Sequence, residues 1–375
     1  MSTRPVVRTL LAITSLAFLV GSTGSAQQST AKPVKAGVDH KARQARPIAL
    51  GVSGGNSGDL ANGYCCSGTL GALVQKGGQQ FILSNTHVFA GDWVVGGNGK
   101  VATVGDDINQ SGLIDVGCQV IPGDMVADLS EWARINSIDN VDAAIAAVRP
   151  GQVKPSGEIL EIGTIASTTV NPFVGQGVKK SGRTTGFTKS SVSSLNATIT
   201  VGYTDECAGG DYAKSYTGQV IVNNRGTRFL AGGDSGSLMV EDVATNPRAV
   251  GLLYAGSSSV AIANPINDVL AYFGVTMVGG VASAGASTAD ENGPNSARGL
   301  AAAIAAQKRN ERALLNVPGA VGHAVGVGNS PVVQILVREI TPAAQRAAPR
   351  AVDGVPVVLE EVGDVRGMPF CSKRK

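Results

Sequence analysis

Gly232-Gly233-Asp234-Ser235-Gly236-Ser237 puts three glycines and three short polar side chains into six residues. Glycine reaches backbone angles closed to other residues, so this stretch turns tightly and exposes the Ser235 hydroxyl. Such a turn also aims consecutive backbone N–H groups into one concavity, where a negatively charged oxygen is stabilised. Around it, from about residue 60 to 278, short β-like runs alternate with Gly, Asn and Asp. Examples are Gly68 to Val74, Phe81 to Leu83, Val192 to Gly202, Gln219 to Asn223 and Ala249 to Tyr254. Runs of this length and spacing predict a mainly β fold of antiparallel barrels or a sandwich, and about 220 residues suffice for two small barrels.

Composition agrees. The 375 residues include 50 glycines, about twice ordinary usage, with 43% hydrophobic and only 4% aromatic residues. That is ample core material and excludes disorder over the whole chain. A net charge of +3 gives no electrostatic case for a nucleic-acid partner. The charge is unevenly placed. Residues 27–50 carry five Lys/Arg against one Asp, residues 51–296 carry 13 basic against 21 acidic residues, and residues 297–375 carry 11 against 6. An acidic centre therefore lies between basic flanks, and the first flank is expected to dock over the centre until it is removed.

Residues 1–26 read as a secretory signal, with Arg4 and Arg8, the apolar stretch Leu10 to Val20, and the small residues Gly24-Ser25-Ala26 before the cleavage point. The apolar stretch is short for a membrane span, so the mature chain is expected to be secreted or periplasmic, with no span. Cys65, Cys66, Cys118, Cys207 and Cys371 would then meet an oxidising compartment. Their spacing matches no zinc pattern, so disulfides are expected; five is odd, so at least one cysteine is left over or pairs between chains. Residues 27–58 form a basic leader and 59–278 the β-rich domain. Residues 279–299 read as a Gly/Ala/Ser linker, and 300–375 as a small α/β domain. In that last unit Leu300 to Leu315 reads as a helix, Val321 to Val327, Val332 to Val337 and Val355 to Glu360 as strands, and Thr341-Pro342 as a helix start.

Three histidines are present: His40, His87 and His323. His87 follows the apolar run Phe81-Ile82-Leu83 and is expected at the end of a strand, in Leu83-Ser84-Asn85-Thr86-His87-Val88. Asp142 enters the small apolar stretch Ala143-Ala144-Ile145-Ala146, where a carboxylate is costly to bury without a fixed partner. His87, Asp142 and Ser235 follow in that order, separated by 55 and 93 residues.

In these segments the sequence resembles the chymotrypsin-like serine proteases. Lys180-Ser181-Gly182-Arg183-Thr184-Thr185-Gly186 is similar to a turn of the secreted bacterial members, and Gly251 to Gly256 to the strand that pairs with substrate backbone. The resemblance covers roughly residues 60–278. It implies two β-barrels and a peptide or protein substrate. It also implies a nucleophile, Ser235, with His87 as base and acid, Asp142 holding the imidazole, and the N–H groups of Gly233 and Ser235 as the oxyanion hole. No metal or cofactor is required. The primary pocket is expected at Phe229, Tyr254, Ala255 and Gly256, near Val260, with apolar selectivity because no acid lies there. Asp234 is expected to be buried against an internal cation, Lys180 or alternatively Arg183, so that competence does not await a newly cut N-terminus. Departures are Asn85-Thr86 before the histidine, Val88 after it, and Ser237 in place of a glycine.

Other readings are weaker. An α/β-hydrolase needs Gly-x-Ser-x-Gly, and this chain has Gly-x-Ser-x-Ser. A non-catalytic binding or scaffolding module on the same fold is the main alternative. Asp107 to Cys118 begins like a calcium loop but ends in Cys118 rather than a bidentate Glu, so it is read as a turn.

Overall fold

The computed structural model describes residues 37–61, 63–90, 102–205, 210–226, 228–281, 292–367 and 370–373. The expected signal at 1–26, leader residues 27–36, linker residues 282–291 and Cys207 lie outside the described residues. Ile48 and Leu50, inside the expected leader, are already wholly buried core.

The fold is mainly β, in two sheets. Strands β1 (Val52–Asn56), β2 (Leu60–Ala61), β3 (Tyr64–Leu70), β4 (Ala72–Lys76), β5 (Gln79–Ser84), β6 (Asp107–Asn109), β7 (Met125–Trp132) and β8 (Ala144–Val148) build the first, with helix α1 (Thr86–Phe89) after β5. Their order is β4-β5-β8-β7-β6-β1-β3-β2. Leu73, Ile82, Leu83, Ile108, Leu129 and Ile145 fill its interior. Strands β9 (Gly177–Gly182), β10 (Gly186–Asp205), β11 (Gly210–Asn223), β12 (Leu238–Glu241), β13 (Ala249–Gly256) and β14 (Val260–Pro265) build the second, followed by helix α2 (Ile266–Phe273). They run β11-β14-β13-β12-β9-β10, and an added β10–β11 pairing joins the two ends, making a ring of paired strands. Strand β15 (Thr276–Met277) then returns to β4 of the first sheet.

The remaining chain holds helices α3 (Ala301–Arg309) and α4 (Glu311–Leu315), strands β16 (Ala320–Val327) and β17 (Pro331–Val337), helix α5 (Pro342–Ala347), and strands β18 (Ala351–Val352), β19 (Val355–Glu361), β20 (Arg366–Gly367) and β21 (Phe370–Lys373). The expected helix over 300–315 divides at Asn310. Thr341 Oγ1 accepts the Ala344 N–H and caps α5, with Pro342 in its first turn. These elements continue the second sheet, because β16 pairs with β10 from Ser194 to Ile199. Strand β21 crosses to β3 of the first sheet.

Two disulfides join Cys65 to Cys118 and Cys66 to Cys371. Successive residues of a strand face opposite ways, so one adjacent pair in β3 serves partners on both of its sides. Among the described residues no helix is long and apolar enough to cross a membrane.

Where β16 meets β10, Asn196 takes a left-handed backbone (φ 50°) and its side chain and carbonyl bond Gln307 of α3. Gln307 Nε2 donates to His323 Nδ1 at 2.7 Å. Burial holds the His323 imidazole below the usual histidine range, against the upward pull of Glu311. As pH falls, the unfolded chain therefore takes up this proton before the folded one, so His323 removes stability below its unfolded pKa of about 6.5. Thermal unfolding should show a Tm that drops between about pH 7.5 and 5.5, with a shallower drop in His323→Gln. Equal slopes in the two proteins would exclude this role.

Candidate active site

His87 and Asp142 meet because β5 and β8 pair with Ser84 opposite Ala144. His87 stands one turn beyond β5 in α1, and Asp142 two residues before β8. Asn85 Nδ2 donates to the Asp142 carbonyl at 2.7 Å, and Thr86 Oγ1 reaches the carbonyls of Ala133 and Ala143. The two residues that depart from the family pattern thus tie these turns together. His87 Nδ1 donates to Asp142 Oδ2 at 2.6 Å, and the His87 backbone N–H faces Oδ1 at 3.3 Å. With its proton on Nδ1, the ring presents a lone pair at Nε2, a buried atom with no hydrogen-bond partner among the described residues.

Asp142 has two further partners that the sequence did not disclose. Its N–H donates to Asn264 Oδ1 at 3.0 Å, and Tyr203 donates its hydroxyl to Oδ2 at 2.9 Å. Tyr203 Oη also lies 2.8 Å from Tyr216 Oη. Burial, reinforced by the Asp142 charge, drives the Tyr203 pKa far above the usual phenol range, so it remains a donor. Tyr203 lies 61 residues from Asp142 in a strand rich in Ser and Thr, with no local sign of this contact.

The segment 232–237 sits against the first sheet: Thr69 N donates to the Ser235 carbonyl at 2.8 Å and Thr69 Oγ1 to the Gly233 carbonyl at 2.9 Å. Gly236, at φ +92°, is needed here, because a Cβ would stand 2.2 Å from Ser84 Oγ and 2.3 Å from the Thr69 carbonyl. Ser235 is fully buried, and its hydroxyl donates to the Tyr254 carbonyl at 3.1 Å, not to His87. The N–H groups of Gly233 and Ser235 have no partner in the backbone network among the described residues. Donors left without a backbone partner on either side of Asp234 could serve a developing oxyanion.

Asp234 is buried, and its carboxylate is heavily bonded. Oδ1 accepts the N–H groups of Thr184 and Thr185, and Oδ2 accepts Thr185 Oγ1 and Ala231 N. Lys180 Nζ lies 3.4 Å from Oδ2, with both side chains wholly inaccessible. Burial lowers the Lys180 pKa while Asp234 raises it. Arg183 instead forms a two-pronged pair with Asp115 at 2.7 and 2.6 Å. Phe229, Tyr254 and Ala255 are fully buried, and the Phe229 carbonyl accepts Thr188 Oγ1 at 2.9 Å.

Two look-alike clusters take other roles. In the calcium-like stretch, Asp107 pairs with Arg149 and Cys118 is in its disulfide. His40, Glu161 and Ser181 repeat the residue types of a catalytic triad, but His40 Nδ1 is held by the Gly51 carbonyl at 2.8 Å. It has no lone pair for Ser181. Among the described residues no group of His, Cys, Asp or Glu could hold a metal.

A family described as the Nal1 C-terminal domain matches residues 130–263. Glutamyl endopeptidase 2 of Streptomyces griseus is 34% identical over 112 residues, which span 30% of this chain and 52% of that protein. The chain thus spans about half the length of this curated relative. Among solved structures, a glutamic acid-specific serine protease with a histidine triad in substrate binding shares 22% identity, covering 61% of this chain and 100% of its own, at a TM-score of 0.42. Protease A of Thermobifida fusca shares 19%, covering 62% and 99%, at 0.39. The chain resembles, at a distance, the chymotrypsin-like serine proteases of bacteria.

Proposed function

We propose that the chain is an exported serine endopeptidase. The observation that carries this reading is the buried His87–Asp142 pair, which leaves His87 Nε2 without a hydrogen-bond partner among the described residues and free to take a proton. In the reaction, His87 Nε2 takes the Ser235 proton as Oγ attacks a peptide carbonyl. The oxyanion faces the Gly233 and Ser235 N–H groups. The imidazolium, steadied by Asp142, protonates the leaving amine, and water then hydrolyses the acyl-enzyme by the same steps. This requires the Ser235 hydroxyl to turn from the Tyr254 carbonyl toward His87. Its present orientation supports the second reading, a peptide-binding module without catalysis. The disulfides accord with export.

A serine-directed phosphonate should label the mature protein, and Ser235→Ala should abolish labelling and lower peptide turnover by about 10⁴-fold or more. Labelling that survives the substitution would refute the mechanism. Phe229 and Tyr254 bring no charge to the expected primary pocket, which favours cleavage after apolar residues; a peptide-library profile led by Glu, Arg or Lys would overturn that selectivity.

Lys180→Met leaves the Asp234 charge in a dry site, at a cost of roughly 3–5 kcal/mol. Turnover should drop by about 10²-fold or more with little change in KM, because the oxyanion turn loosens more than substrate contacts do. Wild-type values for both parameters would reduce Lys180 to a bystander.

Tyr203→Phe removes one donor from the carboxylate and keeps the ring. It should cost about tenfold in kcat, roughly 1.4 kcal/mol, at constant KM and with the acidic limb of the pH–rate profile displaced. An unchanged profile would make Tyr203 merely structural.

A further inference from the structure

The edge of β13 beside the candidate nucleophile is already occupied. Tyr254, whose carbonyl receives the Ser235 hydroxyl, is followed by Ala255 and Gly256, and these pair antiparallel with Gly367 and Arg366 of β20. On its other side β20 runs parallel to β10, with Arg366 opposite Gly202, and Gly202 N donates to the Val365 carbonyl at 3.0 Å. An extended stretch of the chain's own backbone thus fills a slot between β10 and β13.

The packing holds it there. Val362 and Val365 are buried in one cluster with Tyr203, Tyr254, Ala255 and Val260. Ser257 Oγ donates to the Val362 carbonyl. A Cβ at Gly367 would stand 2.6 Å from the Tyr203 ring, the same ring whose hydroxyl holds Asp142. Only glycine fits at that point of the occupant. Farther along, Cys371 is bonded to Cys66 of β3, so the segment is fastened to the second sheet on one side and to the first on the other. A peptide joining an exposed strand edge gains main-chain hydrogen bonds in the same way that this segment does.

We propose that residues 362–367 are an internal inhibitor: β20 occupies the slot through which an extended peptide with glycine facing Tyr203 passes Ser235, and the Cys66–Cys371 bond keeps it seated. This rests on the proteolytic reading of the same site. An occupied slot lowers apparent peptide affinity by the fraction of molecules in which it is open.

The test uses the full chain and two releasing changes, Arg366→Pro, which removes a strand N–H, and the pair Cys66→Ser with Cys371→Ser. In a Ser235→Ala background, a fluorescein-labelled peptide copying residues 361–367 should bind about tenfold more tightly after Arg366→Pro, with a shift in the same direction for the cysteine pair. In the Ser235 forms, hydrolysis of fluorescein-casein should rise by a similar factor after Arg366→Pro. Unchanged peptide affinity in both released forms overturns the proposal, whatever the activity. If no form reacts with the phosphonate or cleaves casein, the proteolytic reading fails, and the peptide measurement then decides the occupancy of the slot alone.

Discussion

Asp234 is a charge with no access to water, and the surrounding architecture follows from keeping it satisfied. An unpaired carboxylate at such depth would cost several kcal/mol. Four hydrogen bonds and the Lys180 ammonium offset that cost. Those partners fix the 184–186 turn between β9 and β10 against the 231–237 turn, two pieces of chain about 50 residues apart. The candidate oxyanion donors at Gly233 and Ser235 flank Asp234, so their orientation is set by the same carboxylate. The cation beside Asp234 is the internal Lys180.

The site lies on the seam between the sheets, and each sheet contributes what its topology permits. In the first, one strand pair brings two turns together, which suits a close histidine–carboxylate contact. In the second, the ring of strands carries Tyr203, whose hydroxyl reaches across to Asp142. Tyr203 and Asn264 come from the second sheet yet bond an aspartate of the first. Their distance from solvent makes these bonds effective, since burial keeps the phenol protonated beside a negative charge.

Much of this was legible in the sequence because it is local. Short runs of β-formers broken by glycine announced two sheets, and Thr341-Pro342 announced a helix start from neighbouring residues alone. Asp142 stood out as an acid among alanines, whereas Lys180 was reached only through the family resemblance of the turn that follows it. What escaped reading depends on contacts across the fold. Nothing near Arg183 marks Asp115, 68 residues away, as its partner. Nothing near Tyr203 marks Asp142. The residues at 366–367 are too few to show a strand pattern, and they become one only because two edges are waiting on either side.

The adjacent cysteines of β3 also impose an order of events on synthesis. Cys118 follows Cys65 by 53 residues, whereas Cys371 follows Cys66 by 305. At roughly 5–20 residues per second, Cys66 emerges about 15–60 seconds ahead of its partner. Swapping the partners of Cys65 and Cys66 changes the two closures only from 53 and 305 residues to 52 and 306, so chain entropy hardly discriminates between correct and swapped pairings. Cys118 and Cys207 both emerge during that interval. Fidelity then rests on folded geometry: the pairing of β21 with β3 sets Cys371 opposite Cys66 and not opposite Cys65.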